Sequence, residues 1–540
     1  SGWARFVEEF LEGQFAANPG KAVNSGRHEF DGQLPDWRPE GIRGEIRRLH
    51  AQRKEALAFD AAGLDESQQF ERDYLIAQIA KDLFWLETAE SPFRNPTFYS
   101  GTLDPNVYVT REYAPLETRM RAYLKYLDGI PAAALQVRQN LRTPLPRSYV
   151  EIGIIAFGGL ASYYENDVPG VFAPVKDPAL QEEFRNKTAT ATTAMQELVE
   201  WLESLRAGAT EAFALGPDKF LKMLRDTEQV EISLDRLEQI GREDLERNVQ
   251  SLREACRQYA PGASIADCMA KARAEKPEGG AVVGARRQLK ELKKFLVDEN
   301  LVSIPGTEEA LVDESPPYQR WNFAYIDIPG PYEKGLPSTY YIAPPDPSWT
   351  PEEQNEYVPS RSNLLFVSVH EVWPGHFLHF LHANRSDSMF GRVFVGYAFA
   401  EGWAHYTEEM LWEAGLGNGD PVTHIGQLSN ALLRNGRFLS TIGLHTQGMT
   451  LEESERLFRE QAFQDAGTAR QQAARGTFDP AYLNYTMGKL MILKLREDWT
   501  ASRGGRQAWR EFHDRFLSYG GPPIPLVREA MLGSGAGLPL

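Results

Sequence analysis

Asn363-Leu-Leu-Phe-Val-Ser-Val-His-Glu-Val-Trp-Pro-Gly-His-Phe-Leu-His-Phe-Leu-His-Ala383 reads as one apolar helix with a breaker set inside it. A proline in a helix interior costs about 3 kcal/mol or more, so a compensating reason is expected at Pro374. The flanking residues supply one: His370, Glu371 and His376 place two imidazoles and a carboxylate within seven positions. Seven of the ten histidines (370, 376, 379, 382, 405, 424 and 445) lie between 370 and 445. Histidine is the commonest metal ligand, so the chemistry of the chain is expected here.

Zinc-peptidase helices carry their histidines four residues apart, on one face. His370 and His376 are six apart, which on an ideal helix puts them about 120° from one another around the axis. Pro374 removes the N–H that would bond the His370 carbonyl, and Gly375 tolerates irregular dihedrals. A bulge absorbing two residues within a continuous Asn363–Ala383 helix is therefore expected to bring the rings together. Glu371 follows the first ligand and is placed to deprotonate a water whose pKa zinc lowers to about 7. The third ligand is read as Glu401, within Glu401-Gly-Trp-Ala-His-Tyr-Thr-Glu408 on a helix expected over Gly396–Gly415. Glu401, His405 and Glu408 fall at i, i+4 and i+7, one stripe, which makes His405 and Glu408 groups that orient ligands or bind substrate. His379 and His382 continue an i, i+3 series from His376, so His376 with His379 is a rival pair. His370 is preferred because it alone brings an adjacent glutamate; His379 and His382 are then packing or supporting residues. Two histidines and a carboxylate admit several divalent metals, with zinc the default for a hydrolytic pattern.

Most of the remaining chain reads as amphipathic helix, for example Ser67–Thr88, Glu182–Leu205, Ser233–Tyr259 and Arg286–Asp298, separated by proline- and glycine-bearing joints. Arg320–Ile328 and Ser338–Ile342 break that pattern. They are aromatic and partly alternating, with Pro329-Gly330-Pro331 between them, and predict a small antiparallel sheet beside the metal-binding helix. An extended peptide could add to its edge. The fold expected is mainly α, a single domain over 1–540 with a helical half (1–300) and a half carrying the sheet and metal site (301–540).

A net charge of −17 argues against a nucleic-acid or anionic-membrane partner. The apolar stretch from Ile152 to Tyr164 is too short and glycine-rich to span a bilayer. The chain begins Ser1-Gly2-Trp3 without methionine, which predicts a trimmed N-terminus; an exported location, its signal removed, is favoured over a cytoplasmic one. Cys256 and Cys268 either close a short disulfide loop or remain two thiols on neighbouring helices.

His-Glu-x-x-Pro-Gly-His at 370–376 followed by Glu-Gly-Trp-Ala-x-Tyr-x-Glu at 401–408 resembles the hallmark of the bacterial family known as domain of unknown function 885. Gly26-Arg-His-Glu-Phe-Asp31, Arg437 through Gly443-Leu-His445, and Pro480 through Tyr485-x-x-Gly488 resemble its other signatures. Two positions depart from them: His379 stands where the family usually has glutamine, and Thr441 where it usually has aspartate. The family looks like a branch of the helical zinc metallopeptidases, which implies a helical fold with a central cleft and a preference for short peptides. That resemblance also implies an oxyanion donor late in the chain, Tyr485 or else His445. Arg437 is either a partner for a substrate carboxylate or an internal ion pair.

The expected function is thus zinc-dependent hydrolysis of a peptide or related amide bond. His370, His376 and Glu401 hold the metal, Glu371 activates water and Tyr485 stabilises the tetrahedral intermediate. One rival is an amidase acting on non-peptide amides with the same residues. The other is a non-catalytic peptide- or solute-binding protein, which would have no need of Glu371.

Overall fold

Helix starts follow the capping residues. Asp177 accepts from the Leu180 N–H and Pro178 occupies the first turn, so the helix expected from Glu182 spans Pro178–Ser204. Ser233 caps Leu234–Tyr259 through the Arg236 N–H. A capping box of Asp65 and Gln68 opens Glu66–Leu83, and the end of the expected Ser67–Thr88 helix widens into a π turn, Phe84–Thr88. Ala281–Asp298 begins directly after Gly280, ahead of the expected Arg286. The computed structural model describes residues 2–316, 319, 320 and 322–540. It is mainly α, 70% helical, with one three-stranded sheet among the described residues.

The chain divides into two compact units, Ser1–Phe213 with Pro329–Leu336, and Ala214–Ile328 with Pro337–Leu540. Residues 214–300, grouped by sequence with the N-terminal half, thus belong to the unit that carries the histidine cluster. In the first unit, Pro178–Ser204 packs on Leu116–Asn140 and Arg147–Ser162 around buried Tyr123, Tyr126, Phe172 and Phe184. The Ile152–Tyr164 stretch is part of this packing, and no helix of the described residues is long and apolar enough to cross a membrane.

The Gly26–Asp31 signature also belongs to the first unit. His28 lies between Asp31 (2.9 Å) and Glu333 (2.5 Å), with its ring stacked on Tyr113 at 3.7 Å. The Tyr332 N–H donates to the Ser25 carbonyl at 2.9 Å. A Cβ on Gly330 would stand 2.3 Å from Ser25 Cα, so this close approach requires glycine. Pro329-Gly330-Pro331 is thus part of a docked segment as well as the joint between two strands.

The sheet corrects the antiparallel expectation. β1 (Ala310–Glu314), β2 (Ala324–Asp327) and β3 (Ser338–Ile342) lie in the order β1-β3-β2, with β1 parallel and β2 antiparallel to β3. β1 went unread because Ala-Leu-Val-Asp-Glu is short and acidic at one end; it is held by pairing with β3. Trp321, within the expected first strand, lies outside the described residues. β3 buries alternate residues Ser338, Tyr340 and Ile342, as a half-buried strand should.

Five helices of the second unit carry the histidine cluster: α1 (Arg361–Glu371), α2 (His376–Ala383), α3 (Tyr397–Glu413), α4 (Pro421–Thr446) and α5 (Asn484–Thr500). α3 and α5 touch backbone to backbone, because a Cβ on Gly402 would meet Gly488 Cα at 2.6 Å and one on Gly488 would meet the Ala398 carbonyl at 2.3 Å. That contact brings Tyr485, one turn before Gly488, beside the helix of Glu401. Cys256 and Cys268 form a disulfide that joins Leu234–Tyr259 to Ile265–Ala274.

Candidate metal centre

The breaker acts differently from the expected bulge. The helix stops at Glu371, residues 372–375 form a loop, and a new helix starts at His376. The Val372 and Trp373 N–H groups both turn back to the Ser368 carbonyl (3.0 and 3.4 Å), and Gly375 N–H reaches the Val369 carbonyl at 2.9 Å. A Cβ on Gly375 would lie 1.7 Å from the His370 carbonyl oxygen, so glycine is obligatory there. Trp403 Nε1–H, from α3, donates to the Pro374 carbonyl at 2.9 Å and ties the loop to the helix of Glu401. His370 thereby ends one helix, His376 begins the next, and their rings stand 4.9 Å apart at 87°.

Glu401 Oε2 lies 3.2 Å from His370 Nε2 and 3.3 Å from His376 Nε2. One ligand atom from each of the three residues lies within 4.8 Å of the others, a set that could hold a metal ion. The other nitrogen of His370, Nδ1, donates to Glu408 Oε2 at 3.1 Å, and His405 Nδ1 donates to the same oxygen at 2.8 Å. Glu408 is buried, with Arg434 3.7 Å from its second oxygen. This arrangement aims His370 Nε2 at Glu401, in the manner of carboxylates that orient metal-ligating histidines.

The electrostatics follow from burial and these partners. Burial opposes charge on His370, but hydrogen bonds to Glu401 and Glu408 outweigh it and lift the imidazole to about 10. Burial would raise Glu401, yet His376 and His370 hold it well below the usual carboxylate range. Glu408 is likewise depressed by Arg434 and His405 against its burial. Glu371 goes the other way: burial raises it, only partly offset by His370 and His376. His405 is pushed down to about 4, chiefly by burial.

Tyr485 lies beside the cluster, its ring 6.3 Å from that of His370 at an interplanar angle of 21°. Tyr397 meets it edge-on at 5.7 Å, and the guanidinium carbons of Arg437, Arg434 and Arg475 lie 4.7, 5.5 and 5.9 Å from its ring centre. His445 and His379 are occupied elsewhere. His445 Nδ1 accepts from the Leu215 N–H (3.1 Å) and its Nε2 donates to the Gly476 carbonyl (2.7 Å). His379 donates from Nε2 to the Gly520 carbonyl at 2.6 Å, and burial pushes it down to about 3. His382 donates to the Ser303 carbonyl at 2.8 Å. The clustered pair is therefore His370 with His376, not His376 with His379. Arg437 donates from Nε to Gln472 at 2.7 Å, and no carboxylate among the described residues lies at ion-pair distance from it.

Sequence reading missed Tyr397, Arg434 and Arg475. Tyr397 had a usable signal, since it precedes Glu401 by four residues and extends the 401–405–408 stripe by one turn. Arg434 is one turn before Arg437 on α4. Nothing local marks Arg475.

Fold and cluster together define a helical protein with a partly buried two-histidine, one-carboxylate constellation, its histidines on either side of a helix break. The chain belongs to the family described as bacterial protein of unknown function (DUF885), whose profile matches residues 19–531. Among solved structures it is similar to a "putative lipoprotein of unknown function" from Shewanella oneidensis, at 24% identity and a TM-score of 0.81, over 98% of this chain and 100% of that one. It is also similar to a "putative lipoprotein" from Colwellia psychrerythraea, at 17% identity and a TM-score of 0.81, over 98% of each chain. At these identities the likeness is one of fold. No curated protein matches the chain.

Proposed function

We propose that this protein is a zinc-dependent hydrolase, a metallopeptidase that cleaves short peptides with an activated water. The observation that carries the reading is the convergence of His370, His376 and Glu401, with Glu408 behind His370 and Glu371 next to it in sequence. The spacing admits such an ion: zinc donors at about 2.1 Å stand about 3.4 Å apart, the two His–Glu401 separations are 3.2 and 3.3 Å, and all three donor atoms lie within 4.8 Å of one another. The donor set of two histidines and one carboxylate contains no cysteine, and is the kind that would hold a catalytic zinc rather than a closed structural one.

Zinc held there would supply a Lewis acid and lower the pKa of water. Glu371 accepts the proton of the attacking water and passes it to the leaving amine; its raised affinity for protons suits both steps. Tyr485 donates its phenol hydrogen to the developing oxyanion, positioned by the surrounding arginines. Glu408 keeps Nδ1 of His370 protonated and the ring fixed. An exported location is part of the proposal. The Cys256–Cys268 disulfide supports it, because such bonds persist in oxidising compartments, and so do the descriptions of the two similar structures as lipoproteins.

The test is zinc content and peptide cleavage for the wild type, Glu371→Gln and His370→Ala. Near-stoichiometric zinc in the first two but not the third, with cleavage by the wild type alone, is expected. Zinc without cleavage of any peptide would redirect the reading to other amides. Zinc without hydrolysis of any amide would favour a binding protein. Absence of zinc uptake would end the metal reading.

A further inference from the structure

The arginines around Tyr485 leave one charge unanswered. Arg475 pairs with Asp479 at 3.0 Å, and Tyr397 bridges them, accepting from Arg475 and donating to Asp479, each at 3.1 Å. Arg434 faces Glu408 at 3.7 Å. Arg437 is 6% exposed, and its hydrogen bond is to the neutral amide of Gln472. Burial and the neighbouring Arg475 lower its affinity for its proton, to a pKa of about 10. A buried cation ordinarily has a counter-charge, because taking it from water is costly. The Tyr485 ring at 4.7 Å offers a cation–π contact, a partial substitute.

This unanswered charge lies next to the histidine cluster. Arg437 touches one side of the Tyr485 neighbourhood, and the His370 ring stacks near the same tyrosine. Glu371, His376, Glu401 and Tyr485 all retain partial exposure, so solvent reaches the cluster. An extended peptide advances about 3.5 Å per residue, which makes the interval a matter of a few residues at most. A planar guanidinium fork is also the group best matched to a carboxylate.

We propose that Arg437 anchors a carboxylate of the substrate beside the His370–His376–Glu401 cluster, selecting short peptides that carry a negative charge near the cleaved bond. Placing a cleaved bond there rests on the hydrolase reading above; the anion subsite itself does not. The carboxylate is supplied either by a free C-terminus or by an acidic side chain.

Binding decides the matter without turnover. Calorimetric titrations of the full chain carrying Glu371→Gln compare trialanine as the free acid, trialanine as the C-terminal amide, and Ala-Ala-Glu as the C-terminal amide. Each is run with added zinc and after chelation. The free acid should bind at least tenfold tighter than its amide, and the gap should close in R437Q and return in part in R437K. Tight binding by the Ala-Ala-Glu amide would identify a side-chain carboxylate as an accepted source, and weak binding would restrict the subsite to the C-terminus. Equal affinity of trialanine acid and amide, no binding of either, or a gap that survives R437Q would overturn the proposal. The acid–amide comparison on the Arg437 protein decides even if neither variant folds. A gap that persists after chelation upholds the subsite if zinc hydrolysis fails, and zinc hydrolysis without a gap removes the subsite alone.

Discussion

His370 donates from Nδ1 to the buried Glu408 at 3.1 Å, while its Nε2 stands 3.2 Å from Glu401. One imidazole is thus clamped between two carboxylates with different tasks: Glu401 shares the proposed metal, and Glu408 fixes the ring. Replacing such an outer carboxylate typically costs 10–100-fold in metal affinity, by about one to two powers of ten. Glu408→Gln should weaken zinc binding by that amount in a competition titration against a chromogenic chelator. An unchanged zinc affinity would refute the orienting role.

Tyr485→Phe removes one hydroxyl and leaves the ring packing of Tyr397 and the arginines in place. Loss of a single oxyanion donor lowers kcat by about 10²–10³. Zinc content and KM should be unchanged, and steady-state kinetics beside metal analysis checks both. A wild-type kcat in Tyr485→Phe would exclude the phenol as the donor.

Gly375 has no room for a side chain, since a Cβ would lie 1.7 Å from the His370 carbonyl oxygen. Gly375→Ala must therefore move the loop that separates the two histidines. The expected cost is about 4 kcal/mol or more, the range single substitutions reach only through a specific structural conflict. Urea unfolding of the purified variant measures it, and an unshifted midpoint would show that the loop relaxes freely.

The Cys256–Cys268 bond closes a loop with a sequence separation of 12. A loop of that order stabilises by about 3 kcal/mol through the unfolded state. The Cys256→Ser, Cys268→Ser double variant should melt at a lower temperature, and reductant should lower the wild-type melting temperature but not that of the variant. Identical melting with and without reductant in the wild type would argue that the bond contributes nothing.

His28 predicts a pH dependence confined to the first unit. Burial opposes its charge, but Asp31 and Glu333 outweigh burial and raise its pKa. A raised folded-state value means that the folded protein holds this proton more tightly than the unfolded chain does. The resulting stabilisation is complete below the unfolded value of about 6.5 and disappears as pH rises through the folded value. Wild type should therefore exceed His28→Gln in melting temperature at pH 6, with the difference shrinking above neutrality. A difference that is constant with pH would assign the His28 contribution to its stacking on Tyr113 instead.

Local rules made much of this molecule readable in its sequence. Ser233, Asp177 and Asp65 announce helix starts because a short polar side chain satisfies backbone N–H groups only a few residues away. The convergence of His370, His376 and Glu401 was legible because their types and intervals are rare and their helices are bounded by local signals. The same rules placed a disturbance at Pro374-Gly375, although they predicted a bulge where the backbone makes a full break. The reason is the return of the Val372, Trp373 and Gly375 N–H groups to Ser368 and Val369, a set of bonds completed by the Trp403 contact from another helix.

What only the tertiary structure decided is the partner of each polar atom. β1 exists because β3 pairs with it, and its own five residues carry little strand signal. His379 and His445 are the same residue type as the clustered His370 and His376, but backbone carbonyls far along the chain, at Gly520 and Gly476, claim their Nε2 atoms. Glu408 was visible as a member of a helical stripe, yet its hold on His370 depends on how α3 packs against α1. Arg437 was legible as a cation on α4, but that its Nε donates to Gln472, 35 residues further on, is decided by packing alone. Sequence determines backbone preference over a few residues, where hydrogen bonding and sterics are local. The protonation, orientation and availability of a side chain depend on neighbours tens to hundreds of residues away, and those are fixed only when the chain has folded.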